Sequence, residues 1–521
     1  MKKSALLAAA LIAVMAFSAC GGDTTPSNSP TATPPVTSGD ATATPPAPTD
    51  VVDPGDVGEI DVVELGALSE RNAEGLRVDA TTNGQLMTIA MDDWKKTLFQ
   101  PAIDEFNATY PNIELELRQV PISDNNVMTA LMAARALPDV VYDFMRPLPD
   151  WTSLGWIYPL DELVEGDPDW AYVPDAVKEW FIYGGKLYAL PTRAHLNNSI
   201  MVNLDLMDQL NLDLPAADWT FDDYKAFLVA GTTDEFSGSE NLPAGGHIGA
   251  AHHAGLGNYG YDRTSNTYDV AAGWLDGLNI TNELKAIPGV IAGTLRDQDD
   301  YWGNADCDYT KKFGEGNIGD GNMAFKMGKV LTTVISTGSV GEIHGIVPFN
   351  WQFLAFPQVP GVGTRPATQT TYSVVAATTK FPEAAFEAAK WFSFGEKGMI
   401  MQLECYNLKD DMDGAQFIVP VSKNPAILAK FESLNLVSEG VLQMVSNMDN
   451  AIQDAMYQMI PSYGSIVDEF LTPLDQLVVD GGDPVALAAE ASQKASEAGA
   501  TYWAEYEEKL AAAQAAFDAK R

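Results

Sequence analysis

The chain has 521 residues, of which 71 are Asp or Glu and only 31 are Lys or Arg, for a formal net charge of −40. A field of that sign repels nucleic acid and anionic lipid headgroups, which excludes a protein that reads a phosphate backbone. The 46% hydrophobic and 10% aromatic content is ordinary for a soluble globular protein, and the length is enough for two lobes with substantial cores.

Lys2 and Lys3 precede an apolar run, Ala5 to Phe17, that is too short to span a bilayer and has a charged leading edge. It reads as an export signal. The run ends in Phe17-Ser18-Ala19-Cys20-Gly21, which resembles the bacterial lipobox, with Phe where that motif usually has Leu. The resemblance implies a signal peptide over residues 1–19 and a diacylglycerol on Cys20. A lipid anchor would then hold the mature protein at the extracytoplasmic face of the cell membrane. Residues 20–57 are mostly Thr, Pro, Ser, Ala and Asp, a composition that cannot bury enough surface to fold and reads as an extended tether. Residues 58–84 form an N-terminal extension without a readable role. Apart from Cys20 there are only Cys307 and Cys405; export permits a disulfide, and their spacing leaves pairing open.

The globular body begins with Leu86-Met87-Thr88-Ile89-Ala90, a short apolar strand, followed by a helix with Ile103, Phe106 and Tyr110 on one face. Ile113, Leu115 and Leu117 alternate with Glu114 and Glu116, which predicts a second strand. Val127, Leu131 and Ala134 then recur at helical spacing, and Pro138 stops that helix ahead of a buried strand, Asp139-Val140-Val141-Tyr142. This β-α-β-α-β order marks an α/β fold with a doubly wound sheet, whose ligands bind beyond the carboxyl ends of the strands. Further along, Gly184-Gly185 predicts a hairpin turn, and Thr220 with Asp223 predicts a capping box. Pro382 to Phe392 reads as a core helix. A last helix carries Trp503, Tyr506, Leu510, Ala513 and Phe517 at spacings of three and four.

Signals for chemistry are thin. There is no GxSxG elbow and no HExxH, and Gly328-Lys329 is followed by Val330 instead of the Ser or Thr of a nucleotide loop. Acidic pairs such as Asp92-Asp93 and Asp222-Asp223 are adjacent, whereas a glycosidase needs carboxylates on opposite sides of a sugar. His252 and His253, read as strand neighbours, would point to opposite faces and could not share a metal ion. Asp411-Met412-Asp413-Gly414 reads as a solvated turn. No catalytic residue, metal or cofactor is therefore expected, and the chain reads as a binding protein, not an enzyme. Sugars have apolar faces that stack on aromatic rings and hydroxyls that pair with Asp, Asn, Arg and His. Of the eleven tryptophans, Trp94, Trp302 and Trp351 fall at predicted strand ends or in Gly/Asn-rich loops.

A run of ordered landmarks adds to this reading. They include Phe106-Asn107-Ala108-Thr109-Tyr110-Pro111, Leu137-Pro138-Asp139-Val140 and Leu154-Gly155-Trp156-Ile157-Tyr158-Pro159-Leu160-Asp161. Gly185-Lys186-Leu187-Tyr188-Ala189-Leu190-Pro191, Asp218-Trp219-Thr220-Phe221, Phe325-Lys326-Met327-Gly328-Lys329 and Pro382-Glu383-Ala384-Ala385-Phe386 follow. In order and spacing the body resembles the extracellular solute-binding proteins of ATP-driven sugar importers, the family 1 group that includes maltose-binding protein. That resemblance implies a type II-like periplasmic-binding-protein fold: two doubly wound lobes joined by crossings near Arg193–Leu196, Thr370–Ser373 and Phe417–Pro420. The N-lobe would comprise 85–194 and 373–417, and the C-lobe 195–372 and 418–521, covered by the last helix.

Strand-end position together with the resemblance implies four ligand-facing patches. They are Asp92, Asp93 and Trp94 after the first strand; Asp143, Phe144 and Arg146 after the third; His195 and Asn197 at the first crossing; and a C-lobe wall of His252, His253, Trp302, Trp351 and Tyr372. Where many relatives present a Gly-Trp pair, this chain has Ser336-Thr337-Gly338, which argues against a maltose-like ligand. The expected function is capture of a small ligand, a mono- or oligosaccharide, by a monomer that delivers it to separate permease and ATPase subunits. The rivals are a peptide or polyamine on the same scaffold and a surface-anchored glycan-binding or glycan-hydrolysing protein.

Overall fold

A computed structural model of the chain describes residues 68–73, 75–77, 85–91, 98–120, 125–144, 148–292, 323–405, 417–454 and 460–519. The export signal, Cys20, the tether, Cys307 and the Asp411–Gly414 turn lie outside them.

Strand β1 (Gln85–Met91) pairs in parallel with β2 (Ile113–Gln119) along its whole length and with β3 (Val140–Phe144) on its other side. Helices α1 (Gln100–Thr109) and α2 (Asn125–Ala133) make the connections, so the predicted β-α-β-α-β opening is present. In β2 the period-two pattern does what it predicts: Ile113, Leu115 and Leu117 are buried and Glu114 and Glu116 are exposed. The later strands are β4 (Leu190–Leu196), β5 (Ser199–Asn203), β6 (Ser237–Ser239), β7 (Val330–Ile335), β8 (Trp351–Leu354), β9 (Ala367–Val375), β10 (Val419–Pro420) and β11 (Ile452–Gln453). They divide between two sheets. The first runs β10-β4-β9-β3-β1-β2, with β11 also on β9; the second runs β8-β5-β7-β6.

The chain passes from the first sheet to the second between β4 and β5, where only Asn197 and Asn198 intervene. The stretches expected to cross are lateral neighbours: Ala194 of β4 pairs with Thr370 of β9 on one side and with Val419 of β10 on the other. One apolar cluster surrounds the first sheet, with Ile89, Phe106, Tyr142, Tyr372, Phe386 and Trp391. A second, with Ile200, Val202, Trp219, Phe227 and Leu331, backs the second sheet.

Local signals are realised as well. Helix α3 (Phe221–Ala230) starts with a complete capping box, in which Asp223 N–H donates to Thr220 Oγ1 (3.2 Å) and Thr220 N–H to Asp223 Oδ2 (2.9 Å). Gly184 and Gly185 turn the hairpin between Ile182–Tyr183 and Lys186–Leu187 with φ of 53° and 76°, a region other residues rarely enter. Two expectations differ. His252 and His253 lie at the C-terminal end of a helix, α4 (Gly245–His252), and not on a strand. The last helix (Pro484–Asp518) covers more than the expected C-lobe, since it meets Thr152 and Tyr158 as well as Tyr268.

Helix α5 (Pro382–Trp391) is buried along its whole length, including three charged side chains. It tolerates them because the N-terminal extension supplies partners. Arg71 reaches Glu387 at 3.2 Å and Asp167 at 2.8 Å, and donates to Leu163 O at 2.9 Å. Tyr110 OH donates to Glu387 Oε2 at 2.7 Å, and Lys390 pairs with Asp167 (2.8 Å) and Asp169 (3.1 Å). The backbone N–H of Ser69 donates to both carboxylate oxygens of Glu383 at 3.2 Å. Burial raises the carboxyl pKa of Glu387, and the charges of Lys390 and Arg71 oppose that rise. Arg71→Ala would strand a buried carboxylate, a change that typically costs about 3–5 kcal/mol. Glu387 would then titrate still higher in the folded state, so its contribution falls as pH rises. Denaturant unfolding should therefore show a deficit for the variant that is larger at pH 8 than at pH 5.

Candidate ligand site at the strand crossings

The parallel strands β1 and β3 run the same way and end at Met91 and Phe144, so the loops that follow them leave from one edge of the first sheet. Asp92, Asp93, Trp94, Arg146 and Trp302 lie outside the described residues. Asp143 and Phe144 close β3, and Phe144 stands opposite Tyr372 in the antiparallel register with β9.

The best-defined polar cluster is at the β4–β5 passage. His195 is buried near the end of β4, opposite Gln369 of β9. Its imidazole lies so close to Gly338 that a Cβ there would sit 2.2 Å from Nδ1. The Ser336-Thr337-Gly338 loop follows β7 of the second sheet, and it is bonded to the end of β4: Leu196 N–H donates to Thr337 Oγ1 at 3.0 Å. Ser336 Oγ donates to Asn197 Oδ1 at 2.8 Å. The amide of Asn197 in turn donates to Asp454, just after β11, and to Gln369 Oε1 at 3.4 Å. On the far side of Asp454 stands His247 of α4, whose Nε2 is 3.6 Å from the carboxylate. His247 is buried, and its Nδ1 has no hydrogen-bond partner among the described residues.

His195 and Asn197, singled out in the sequence, are thus brought together with Ser336 of the Ser336-Thr337-Gly338 stretch and with Gln369, Asp454 and His247, which sequence reasoning missed. Asn197 and Asp454 are 257 positions apart, and no local pattern could have linked them. Nothing in the local sequence marked His247 either.

The expected C-lobe wall is not assembled around this cluster. His252 Nδ1 bonds Ile248 O within its own helix at 2.8 Å, and its ring lies 5.1 Å from that of Phe221. His253 Nε2 is 2.9 Å from Asp276 Oδ2. Trp351 opens β8 half-buried, edge-on to Phe353 at 5.6 Å and to His344 at 6.1 Å. Tyr372 is a core residue: it is fully buried, with Phe181 edge-on at 5.4 Å.

Behind the cluster, Arg365 ties the passage to helix α4. It is buried and donates to four main-chain carbonyls: Ala250 O, His253 O (2.6 Å), Leu256 O (2.9 Å) and Asn450 O (3.0 Å). Two of these belong to the end of α4, where a cation also complements the helix dipole. Burial pulls the guanidinium pKa down to about 10. Amides, a carboxylate and imidazoles are suited to hydrogen-bonding a polyhydroxylated molecule. Among the described residues no three His, Cys, Asp or Glu side chains are grouped to hold a metal ion, and no helix is long and apolar enough to cross a membrane.

No curated protein sequence matches the chain. Among solved structures it is similar to the sugar-binding protein MalE of Xanthomonas citri, at 13% identity and a TM-score of 0.58 over 80% of this chain and 98% of that one. It is also similar to a sugar transporter from Rhizobium etli in an open conformation (18%, 0.57, 80% and 99%). A third likeness is to the GacH receptor of Streptomyces glaucescens, whose structures include complexes with acarbose (16%, 0.54, 81% and 99%). At these identities the likeness is one of fold, the two-lobed periplasmic-binding-protein fold. The sequence profile of the bacterial extracellular solute-binding proteins matches residues 92–394, more than half of the chain, and the chain belongs to that family.

Proposed function

We propose that this solute-binding protein captures a mono- or oligosaccharide between its lobes and hands it to a separate ATP-driven permease, without catalysing a reaction. The observation that carries this reading is the polar cluster at the β4–β5 passage. Asn197 is bonded there to Ser336 from the second sheet's side and to Gln369 and Asp454 from the first. A group bonded to elements of both sheets sits where the chain turns from one sheet to the other, and ligand contacts made beside such a passage can favour a closed form. The structural likeness to proteins described as sugar-binding supports a saccharide as the ligand. In this reading the lobes are 85–194 with 373–417 and 195–372 with 418–521. The strand-end residues Asp92, Asp93, Trp94, Asp143, Phe144 and Arg146 face the ligand from the first lobe. Cys20 carries the lipid that holds the monomer at the extracytoplasmic face, and the tether spaces the body from the membrane.

A thermal-shift screen of mono- and oligosaccharides, amino acids, short peptides and polyamines tests the ligand class. At a hundredfold excess over Kd a bound saccharide stabilises the folded form by about 2.7 kcal/mol, which raises Tm. A shift from a peptide or polyamine, with none from any saccharide, would overturn the assignment. Trp94→Ala and Arg146→Ala should abolish the saccharide shift while leaving the ligand-free Tm nearly unchanged; a large fall in ligand-free Tm would place them in the core instead. The anchor has its own test. Cys20→Ala should move the protein from the detergent phase to the aqueous phase in a phase-partition assay, and continued detergent partitioning would sink the lipid assignment.

A further inference from the structure

The C-terminal helix α6 (Pro484–Asp518) is one uninterrupted helix of 35 residues, about 52 Å long at 1.5 Å per residue. Its two halves hold different lobes. In the first half, Ser492 Oγ accepts the Val270 N–H and Ser496 Oγ accepts the Tyr268 N–H, both at 2.9 Å. Ala488, Ala491 and Ala495 pack there with Tyr268 and Trp274. That region continues directly into the second sheet's side, where Val290 O accepts the Ser239 N–H at 2.9 Å.

The second half is bound to the first sheet's side. The hydroxyl of Tyr506 bonds Thr152 Oγ1 at 2.7 Å, Phe517 packs edge-on against Tyr158 at 5.0 Å, and Gln514 Nε2 donates to Tyr188 OH at 3.0 Å. Tyr158 N–H in turn donates to Val375 O of β9 at 2.8 Å. Two lobes joined by a continuous helix can rotate against each other only if the helix bends, slides or lets go.

Gly499 stands where the two sets of contacts meet, between Ser496, which is bonded to Tyr268, and Trp503, whose ring packs with the Tyr268 cluster and also stacks on Tyr183 of the first lobe at 6.4 Å. Glycine is the poorest helix former after proline, so its presence in mid-helix calls for a reason. Crowding is not that reason. A Cβ at Gly499 would meet only Asn266 O and Ile466 Cδ1, each at 3.8 Å, which is ordinary contact. Gly184 is a contrast, because a Cβ there would be 2.8 Å from Gln514 and 2.9 Å from Leu510.

We propose that α6 is a strap across both lobes and that Gly499 is its flexure, so that the strap limits the range of lobe rotation and residue 499 sets how easily it yields. The proposal rests on the reading that the lobes move, and it is independent of what the chain binds. Gly499 acts as a positioning residue that touches no ligand.

The test uses the full-length chain without ligand, with Cys20, Cys307 and Cys405 replaced by Ser. Nitroxide labels at Glu165→Cys and Asp213→Cys, exposed positions in the two lobes, report the interlobe distance distribution by electron double resonance. Gly499→Ala should narrow the distribution and raise Tm by about 1–2 °C. Tyr506→Phe combined with Phe517→Ala, which loosens the second half, should broaden it. Should that double variant not fold, Tyr506→Phe alone carries the same expectation. Unchanged widths in both variants, or a raised Tm for Gly499→Ala without narrowing, overturn the proposal. Because no ligand is present, a failure here leaves the saccharide reading untouched, and a failure of the ligand screen leaves this one untouched.

Discussion

Two residues, Asn197 and Asn198, carry the chain from one sheet to the other, and the arrangement of everything around them follows from satisfying their polar groups. The main-chain N–H of Asn197 donates to Ala367 O at 2.8 Å, and Asn198 Oδ1 accepts the Ala367 N–H at 3.0 Å, which pins the start of β9 to the passage. A buried amide left without partners would cost more than the bond it lost. The passage therefore requires Ser336, Gln369 and Asp454 to be where they are. Arg365 extends the same arrangement to the end of α4, its positive charge spread over four carbonyl oxygens. A waist built this way is rigid in its hydrogen bonds yet short in sequence, which suits a hinge.

Charge is handled differently at the back of the first lobe. There Arg71, from outside the canonical strand-and-helix body, pairs with Glu387 and Asp167, and Lys390 pairs with Asp167 and Asp169. Buried ion pairs seldom add net stability compared with apolar packing, but once built they cannot lose a partner cheaply. The segment from Ser69 to Arg77 is thereby an integral part of the lobe. Helix α6 is likewise held by partners far away in the chain, Tyr268 at one half and Thr152 at the other.

How much was legible depends on the range of the interaction. The alternation in β2, the capping box of Thr220 and Asp223 and the Gly184-Gly185 hairpin are set within a few residues, and all three appear as read. Assignments that depended on neighbours in space fared less well. Tyr372 has the aromatic character of a ligand platform, but its place in β9, a strand buried throughout, puts it against Phe181. His252 and His253 are adjacent in sequence and engaged separately, one with a carbonyl and the other with Asp276. His247, which stands at the crossing cluster, had no pattern to single it out.

By itself the sequence determined the α/β opening and the family, because periodicity, turn chemistry and ordered landmarks are properties of short segments repeated along the chain. Only the tertiary structure decided that Asn197 meets Asp454, that Arg71 answers Glu387 and that α6 meets both Tyr268 and Thr152. Those contacts join residues tens to hundreds of positions apart. Their geometry comes from sheet register and from the need to partner every buried polar group, neither of which leaves a local trace in composition or spacing.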